Sequence, residues 1–421
     1  MRKERLGHLL RLLLIALLIT SAALLARASG YYDELFHRLP AAVSEESGNA
    51  DGELSLSAAE LAEAVRPRTV LVCREGKAVA SAYSGEATEA EFHRFSAILG
   101  EALGSAGEPE EISEKEFRGG LESGSVFMDF SCGMPLELLA EWLGSEMSGK
   151  AGSTEVQFLY LGLSDGAVQL CYRDGDGRFC RCTTAAVSET LDARMGDFQG
   201  VSAEFAYGDR SLKHLDPYTV LLSALPEFSG VAGAAVRDGI NTEELMQTFG
   251  MNSYVVSSYT EADGTRVYIE NEKSLRVHPD GAVVFRAGSA DGERSIAEGL
   301  TAAVSYAYAA AKRSIGQYAG EADVLLSGIA TDGTDQYTVT FDYCIGSVPL
   351  RMASGSAAQF SIKDGILTDA RLSLRYYLFT DTAEKMLPMR FAAAIADAAG
   401  TTPTLVYADG GDQISCIWVK D

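Results

Sequence analysis

The chain has 421 residues, of which 47% are hydrophobic, enough for packed cores, so a generally disordered protein is excluded. Residues 1–40 hold six basic and three acidic side chains, a net charge of +3, whereas the remainder holds 29 basic and 56 acidic ones, a net charge of −27. The acidic part argues against nucleic-acid binding, because phosphate backbones repel such a surface. Seven scattered cysteines without a CxxC pair, and five dispersed histidines, predict neither a disulfide framework nor a metal site.

The N-terminal segment contains an uncharged apolar run, Leu12–Ala26, which four basic residues precede and acidic residues follow. By the positive-inside rule, this arrangement keeps the N-terminus in the cytoplasm and sends the rest of the chain outside. Two interpretations of residues 1–30 remain open on these grounds. One is a cytoplasmic basic tip with a single transmembrane anchor, and the other is a cleaved signal peptide, since Ala26-Arg27-Ala28 fits the small-x-small cleavage pattern.

A transmembrane helix at this position would present a stripe of small or polar residues, Ala16, Thr20 and Ala23, on one face. Helices in lipid associate through close packing of such residues, because lipid tails are as apolar as leucine. The stripe is therefore the predicted contact with a partner helix.

After the anchor, residues 31–65 are small, polar and acidic, as expected of a juxtamembrane linker that ends in a short helix. Residues 66–150 are predicted to form a first α+β domain, with strands at Thr69–Cys73 and Ala78–Tyr83. Thr88 and Glu91 suggest a capping box for a helix to about residue 103, whose apolar side chains recur at helical spacing. Ser113 and Glu116 repeat that capping pattern.

Residues 151–250 are predicted to form a second α+β domain, opening with a three-strand meander. Its hairpin register is expected to place Cys171 opposite Cys180. Asn241 and Glu244 predict the cap of a short helix that ends near residue 250.

Residues 251–421 are predicted to form the third α+β domain. A long helix is expected over Arg294–Arg313, followed by strands in which Tyr337 to Ile345 alternate between apolar and polar residues. Such alternation is typical of a half-buried antiparallel sheet. A further helix is expected over Pro388–Ala399, stopped by Gly400.

The chain holds eleven Asp-Gly dipeptides, most of which separate alternating segments and so predict hairpin turns. The predicted fold class is therefore α+β: one N-terminal transmembrane helix, then two or three extracytoplasmic domains of antiparallel hairpin sheets with packed helices. The chain has no GxGxxG, GxxxxGK[ST], HExxH or GxSxG motif, so no catalytic residue and no cofactor are predicted.

The order of several segments resembles the YycH/YycI family of membrane-anchored regulators of the essential cell-wall two-component system in Gram-positive bacteria. The resemblance covers most of the chain, but Cys416-Ile417 stand before Trp418 where many members carry a proline. The segments that carry it are PRTVLVCREGKAVASAYS, EVQFLYLG, NSYVVSSYTEADGTRVYIENEKSLRVHPDGAVVF, QYTVTFDYCIGSVPL, AAQFSIKDGILTDARLSLRYY, LPMRFAAAI and ISCIWVKD.

The resemblance implies a single-pass cell-membrane protein, with its N-terminus in the cytoplasm and an uncleaved anchor. It implies regulation of a sensor histidine kinase by protein–protein contact, together with a sister YycH/YycI-type regulator and without catalysis; residues 251–421 would be the YycI-like domain. The alternative is an extracytoplasmic carrier of lipid or peptide, which predicts a deep apolar pocket.

Overall fold

The computed structural model describes residues 54, 56–147, 149, 151–164, 166–288, 296–333, 335–411 and 414–420. The fold is α+β with mostly antiparallel sheets, as the hairpin pattern predicts. The predicted anchor and most of the linker lie outside the described residues. The α-helices of the described part are α1 (Ala58–Ala64), α2 (Glu86–Gly104), α3 (Glu114–Ser123), α4 (Leu136–Trp142), α5 (Ser188–Gly196), α6 (Thr242–Thr248), α7 (Leu300–Ser314) and α8 (Met389–Ala399).

The first sheet has nine antiparallel strands in the spatial order β3-β7-β6-β5-β4-β1-β2-β8-β9. The predicted boundary at residue 150 lies between β4 and β5, which are hydrogen-bonded neighbours in this sheet. The three predicted domain ranges remain a prediction about folding units. The strands are β1 (Pro67–Arg74), β2 (Lys77–Ala82), β3 (Glu110–Ile112), β4 (Ser125–Pro135), β5 (Glu155–Leu163), β6 (Ala167–Asp174), β7 (Phe179–Val187), β8 (Val201–Phe205) and β9 (Val220–Leu222).

The second sheet runs in the order β11-β12-β13-β14-β19-β18-β16-β17-β21-β22, with β15 also paired to β16. Strands β17 and β21 are parallel, in contrast to the antiparallel pairs around them. These strands are β11 (Ser257–Thr260), β12 (Arg266–Glu270), β13 (Lys273–Val277), β14 (Ala282–Arg286), β15 (Asp323–Thr331), β16 (Gln336–Ile345), β17 (Val348–Met352), β18 (Ala358–Lys363), β19 (Ile366–Ser373), β21 (Pro403–Asp409) and β22 (Ile414–Lys420).

A separate two-stranded ribbon joins β10 (Phe228–Ala235) to β20 (Arg375–Glu384). The sequence predicts one strand over Ile366–Tyr377, but the structure divides it near Leu374. Beyond that residue the backbone leaves β19 and pairs with β10, a strand that the sequence pattern did not predict because alanine and glycine dominate it.

The N-termini of the helices show where local sequence signals are enough to predict a helix start. The capping box of Ser113 and Glu116 is confirmed, with both hydrogen bonds present. The cap at Asn241 is also confirmed. The box predicted at Thr88 and Glu91 is wrong, because α2 already begins at Glu86, and Thr88 is buried against Ser81 with their hydroxyl oxygens 3.2 Å apart.

Two further sequence predictions are corrected by the structure. The long helix begins at Leu300 rather than at Arg294, because Gly299, at φ 101°, precedes it outside the helical region. The β6–β7 hairpin places Cys171 opposite Arg181 and Cys180 opposite Tyr172, one residue from the predicted register. Directly paired side chains share a sheet face, so Cys171 and Cys180 lie on opposite faces.

One hydrophobic core joins the two large sheets, and the described residues form one compact unit. Trp142 of α4 is fully buried, donates from Nε1 to Ser305 Oγ of α7 at 2.9 Å and lies 5.5 Å from the ring of Tyr308. Arg66 and Asp323 form an ion pair at 2.5 Å between the same two layers. The layers are therefore held by both apolar packing and polar contacts.

Candidate functional site

The predicted partner contact, Ala16, Thr20 and Ala23, lies outside the described residues. In the part of the chain that is described, no helix combines the length and apolarity needed to cross a membrane. All seven cysteines are free and at least half-buried. Burial raises the pKa of Cys132 and of Cys171 to about 12, so both thiols stay neutral at physiological pH.

Exposed apolar side chains are concentrated in one part of the sequence. Of the thirteen exposed large hydrophobic residues in the described ranges, seven lie between residues 376 and 417. That stretch runs from β20 through α8 to β22. Exposed apolar side chains that adjoin one another on one element are typical of an interaction surface, whereas single exposed apolar residues need no explanation.

Helix α8 is apolar on nearly its whole circumference. Its inner face, including Met389, Ala393 and Ala396, is buried. Phe391 and Ile395, one turn apart on the outer face, are 64% and 52% exposed. An apolar helix with this pattern is normally covered on all sides. The outer face of α8, together with the 42%-exposed Leu387 just before it, is the candidate contact surface, and we call these three residues the α8 surface.

The two charged side chains of α8 are both used within the protein. Arg390 forms ion pairs with Glu204 and, at 3.8 Å, with Asp209. Asp397 accepts hydrogen bonds from the backbone N–H groups of His214 (2.5 Å) and Leu215 (2.9 Å). The hydrogen bond from His214 lowers the pKa of the Asp397 carboxyl. These contacts fix α8 against the segment after β8, so that the apolar side chains hold a defined orientation.

The chain entering α8 is also held in place. Trp418 of β22 donates from Nε1 to the carbonyl oxygen of Leu387 at 2.9 Å, and the ring of Tyr83 meets the indole edge-on at 6.4 Å between centroids. The α8 surface is thus attached to both large sheets rather than to a free loop. Rigid presentation lowers the entropy that a partner must overcome on binding.

A groove lies beside the α8 surface. It has a volume of about 420 Å³ and is bounded on one side by Phe391 and Pro388 and on the other by the segment 222–228. Glu384, at the end of β20, and Met386 close it. The groove is a concave region next to the convex face of α8. A protruding side chain of a partner could fill it.

The sequence signal for this site is the composition of MRFAAAIADAA. It predicts the helix but not which face is exposed, because an apolar helix fits equally into a core. Only the packing of α8 against β9 and β21 leaves Phe391 and Ile395 outside.

Comparison of the chain with protein-family models, with curated proteins and with solved structures gave no match.

Proposed function

We propose that the protein is a membrane-anchored extracytoplasmic accessory protein that regulates a two-component sensor histidine kinase by direct contact. The observation that carries the proposal is the α8 surface, an outward apolar helix face whose three side chains are between 42% and 64% exposed. The resemblance of the segment order to that of the YycH/YycI family supports the choice of partner, and so does the basic, then apolar, then acidic N-terminal pattern.

The proposed regulation acts on an equilibrium of the kinase. A bound regulator shifts the kinase between two states only if its contacts differ between them. The α8 surface would supply the extracytoplasmic contact, and the stripe of Ala16, Thr20 and Ala23 would supply the contact in the membrane. A sister regulator of the same type is part of the proposal. The carrier remains the alternative, and copurification of lipid with the full-length protein would favour it.

The α8 surface is tested by replacing Phe391 and Ile395 together with serine. We expect association with the kinase to weaken at least about tenfold, because buried aromatic and aliphatic anchors carry most interface energy. We expect folding stability to change by less than about 1 kcal/mol, since both side chains are exposed. A membrane two-hybrid assay of full-length protein against the sensor kinases of its own cell measures the association.

The matched control replaces Tyr254 and Tyr259, which are 93% and 51% exposed and do not belong to the α8 surface, with serine. This variant loses a comparable apolar area from another part of the chain, so it should bind the kinase as the wild type does. Equal binding by both double variants would remove the α8 surface from the proposal.

The membrane contact is tested separately. Intact mass of the membrane-fraction protein should show residues 1–30 retained, whereas a mature start at Ser29 would identify a secreted protein. Replacing Ala16 and Thr20 with leucine should leave insertion intact, since it raises apolarity, and should weaken kinase association by steric exclusion. Undiminished crosslinking of that double variant to the kinase would assign the contact to the extracytoplasmic part alone.

A further inference from the structure

A second candidate site, formed by other residues than the α8 surface, is a cleft between the two large sheets. Its widest part has a volume of about 650 Å³ and a mixed lining: Ser327, Thr340 and Thr404 supply polar groups, and the apolar part comes from Leu325, Leu326, Pro349, Leu350 and Met352. This volume falls in the range of about 300–1,000 Å³ that small-molecule and peptide sites occupy.

The cleft continues across the first sheet. Arg68 and Gln157 line both the wide part and a narrower space of about 140 Å³. Gln157 and Arg173 then line that space and an outer one of about 320 Å³ near the β6–β7 turn. The three spaces adjoin one another at these shared lining residues, and we call them together the intersheet cleft.

The alternation of buried and half-buried side chains along β16 explains the polar part of the cleft lining. Val339, Phe341 and Tyr343 are buried on one face of the strand, where Phe341 lies 6.0 Å from the ring of Tyr308 in α7. Thr340 and Asp342 therefore point to the opposite face and into the cleft. A sheet that needs only one face for its core leaves the other free for recognition.

Charges of both signs follow one another along the cleft. Arg68 contacts Asp129 at 2.8 Å in the middle part, and Arg173 contacts Asp216 at 2.8 Å toward the outer end. At the wide end burial raises the pKa of the Asp342 carboxyl, and the nearby Arg351 opposes this by favouring the charged form. Each of these arginines is thus matched by an aspartate, and the lining has no strong excess of either charge.

The cleft also holds unused hydrogen-bonding capacity. Gln157, which borders all three spaces, is exposed, and its side-chain amide makes no hydrogen bond to the described residues. Asp129 Oδ1 is buried at the middle part without a hydrogen-bond partner among those residues, while Arg68 occupies Oδ2. Buried acceptors are nearly always satisfied, so a donor from water or from a ligand is expected there.

This lining selects among ligand classes. A lipid tail would desolvate the Arg–Asp pairs without replacing their hydrogen bonds. A phosphate group carries negative charge only, so beside each arginine it would also meet the paired aspartate, and the whole chain has a net charge of −24. An extended peptide offers backbone donors and acceptors for the serine, threonine and glutamine side chains, and side chains of both charges for the Arg–Asp pairs.

From these contacts we infer that the intersheet cleft binds a short, extended peptide that carries both a positive and a negative group, with Asp342 and Gln157 as recognition residues. The inference does not require the proposed kinase contact, because different residues form the cleft and the α8 surface.

The test uses full-length protein in detergent and two pools of synthetic hexapeptides. One pool contains a lysine and a glutamate at varied positions among serine and alanine, and the other has glutamine at both positions. Mass spectrometry identifies the peptides that the protein retains. We expect the mixed-charge pool to be retained at least about tenfold more than the neutral pool, as charge-assisted hydrogen bonds are the stronger ones.

Two variants locate the binding. Asp342→Asn should lower retention of the mixed-charge pool about tenfold, and Gln157→Ala about threefold, as expected for a charged and a neutral hydrogen bond respectively. Both variants should fold, because Gln157 is exposed and asparagine at position 342 keeps the size of the half-buried aspartate and a side-chain oxygen that accepts hydrogen bonds. The matched controls, Asp332→Asn and Gln247→Ala, change exposed residues outside the cleft and should retain peptides as the wild type does.

Equal retention of the two pools, no retention of either, or retention that Asp342→Asn leaves unchanged would overturn the inference. Displacement of the peptides by a trimer of N-acetylglucosamine would assign the cleft to carbohydrate and would overturn the peptide class. The same two cleft variants should associate with the kinase as the wild type does. A failure of the peptide inference can therefore be told apart from a failure of the proposed kinase contact.

Discussion

At the scale of single residues, Asp409 shows how one buried carboxylate joins separate parts of the fold. It is 5% exposed at the end of β21 and accepts hydrogen bonds from Arg375 and from the Tyr377 hydroxyl, both at the start of β20. Burial raises the pKa of Tyr377, so the hydroxyl keeps its proton and remains a donor. The ribbon is thereby attached to the second sheet.

The change Asp409→Asn should lower the free energy of unfolding by about 3 kcal/mol, because it leaves the largely buried Arg375 guanidinium without its counter-charge. The matched control is Asp369→Asn, whose partners Arg286 and Arg371 are more than half exposed and whose loss should cost less than about 1 kcal/mol. Urea unfolding measures both. A loss at Asp409 no larger than at Asp369 would show that the pair contributes little.

At the scale of elements, α8 is positioned by polar contacts at its ends rather than by amphipathic patterning. Asp397 accepts two backbone hydrogen bonds from residues 214 and 215, and Leu222 N–H donates to Met389 Sδ at 3.3 Å. The exposed orientation of Phe391 follows from these contacts. A substitution of Asp397 should therefore change the orientation of the α8 surface, although Asp397 is not one of its residues.

The pH dependence of stability tests this role of Asp397. Because its pKa is lower in the folded than in the unfolded protein, its contribution is complete above the ordinary aspartate pKa of about 3.9 and is lost as the pH falls through the folded value. Thermal unfolding between pH 7 and pH 2 should show a smaller acid-induced loss in Asp397→Asn than in the wild type. Parallel curves would contradict the assignment.

At the scale of the whole molecule, the two sheets share one core. Trp142 joins α4 of the first layer to α7 of the second, and Cys132 of β4 donates from Sγ to the Leu326 carbonyl oxygen of β15 at 3.5 Å. The layers are therefore expected to unfold together, although the sequence suggests separate domain ranges.

The change Trp142→Ala tests that coupling. It should lower the free energy of unfolding by about 3–5 kcal/mol, as removal of a buried tryptophan usually does. Hydrogen exchange should show protection falling in β5 and in β16 together. Trp418→Phe, which removes one exposed hydrogen bond, should cost about 1 kcal/mol and serves as the control. Loss of protection in one sheet alone would indicate independent domains.

Local sequence patterns predicted much of the fold because their causes are local. The capping box at Ser113, the stop of α8 at Gly400 with φ 67°, and the alternation around Phe341 depend on neighbouring residues only. The same patterns failed where distant contacts decide. The break between β19 and β20 and the strand β10 follow from pairing across many residues. The one-residue shift at Cys171 depends instead on the length and type of the β6–β7 turn, which residue composition alone does not specify.

By itself, the sequence determined the α+β class, the antiparallel hairpins at Asp-Gly turns and an acidic chain behind a basic, apolar N-terminus. Only the tertiary structure decided that Phe391 and Ile395 face outward and that Asp342 and Gln157 border one cleft. Composition and periodicity describe what a segment can bury, but the side that is covered depends on which other segment packs there. That choice is made by the summed contacts of the whole core, and no single segment encodes it.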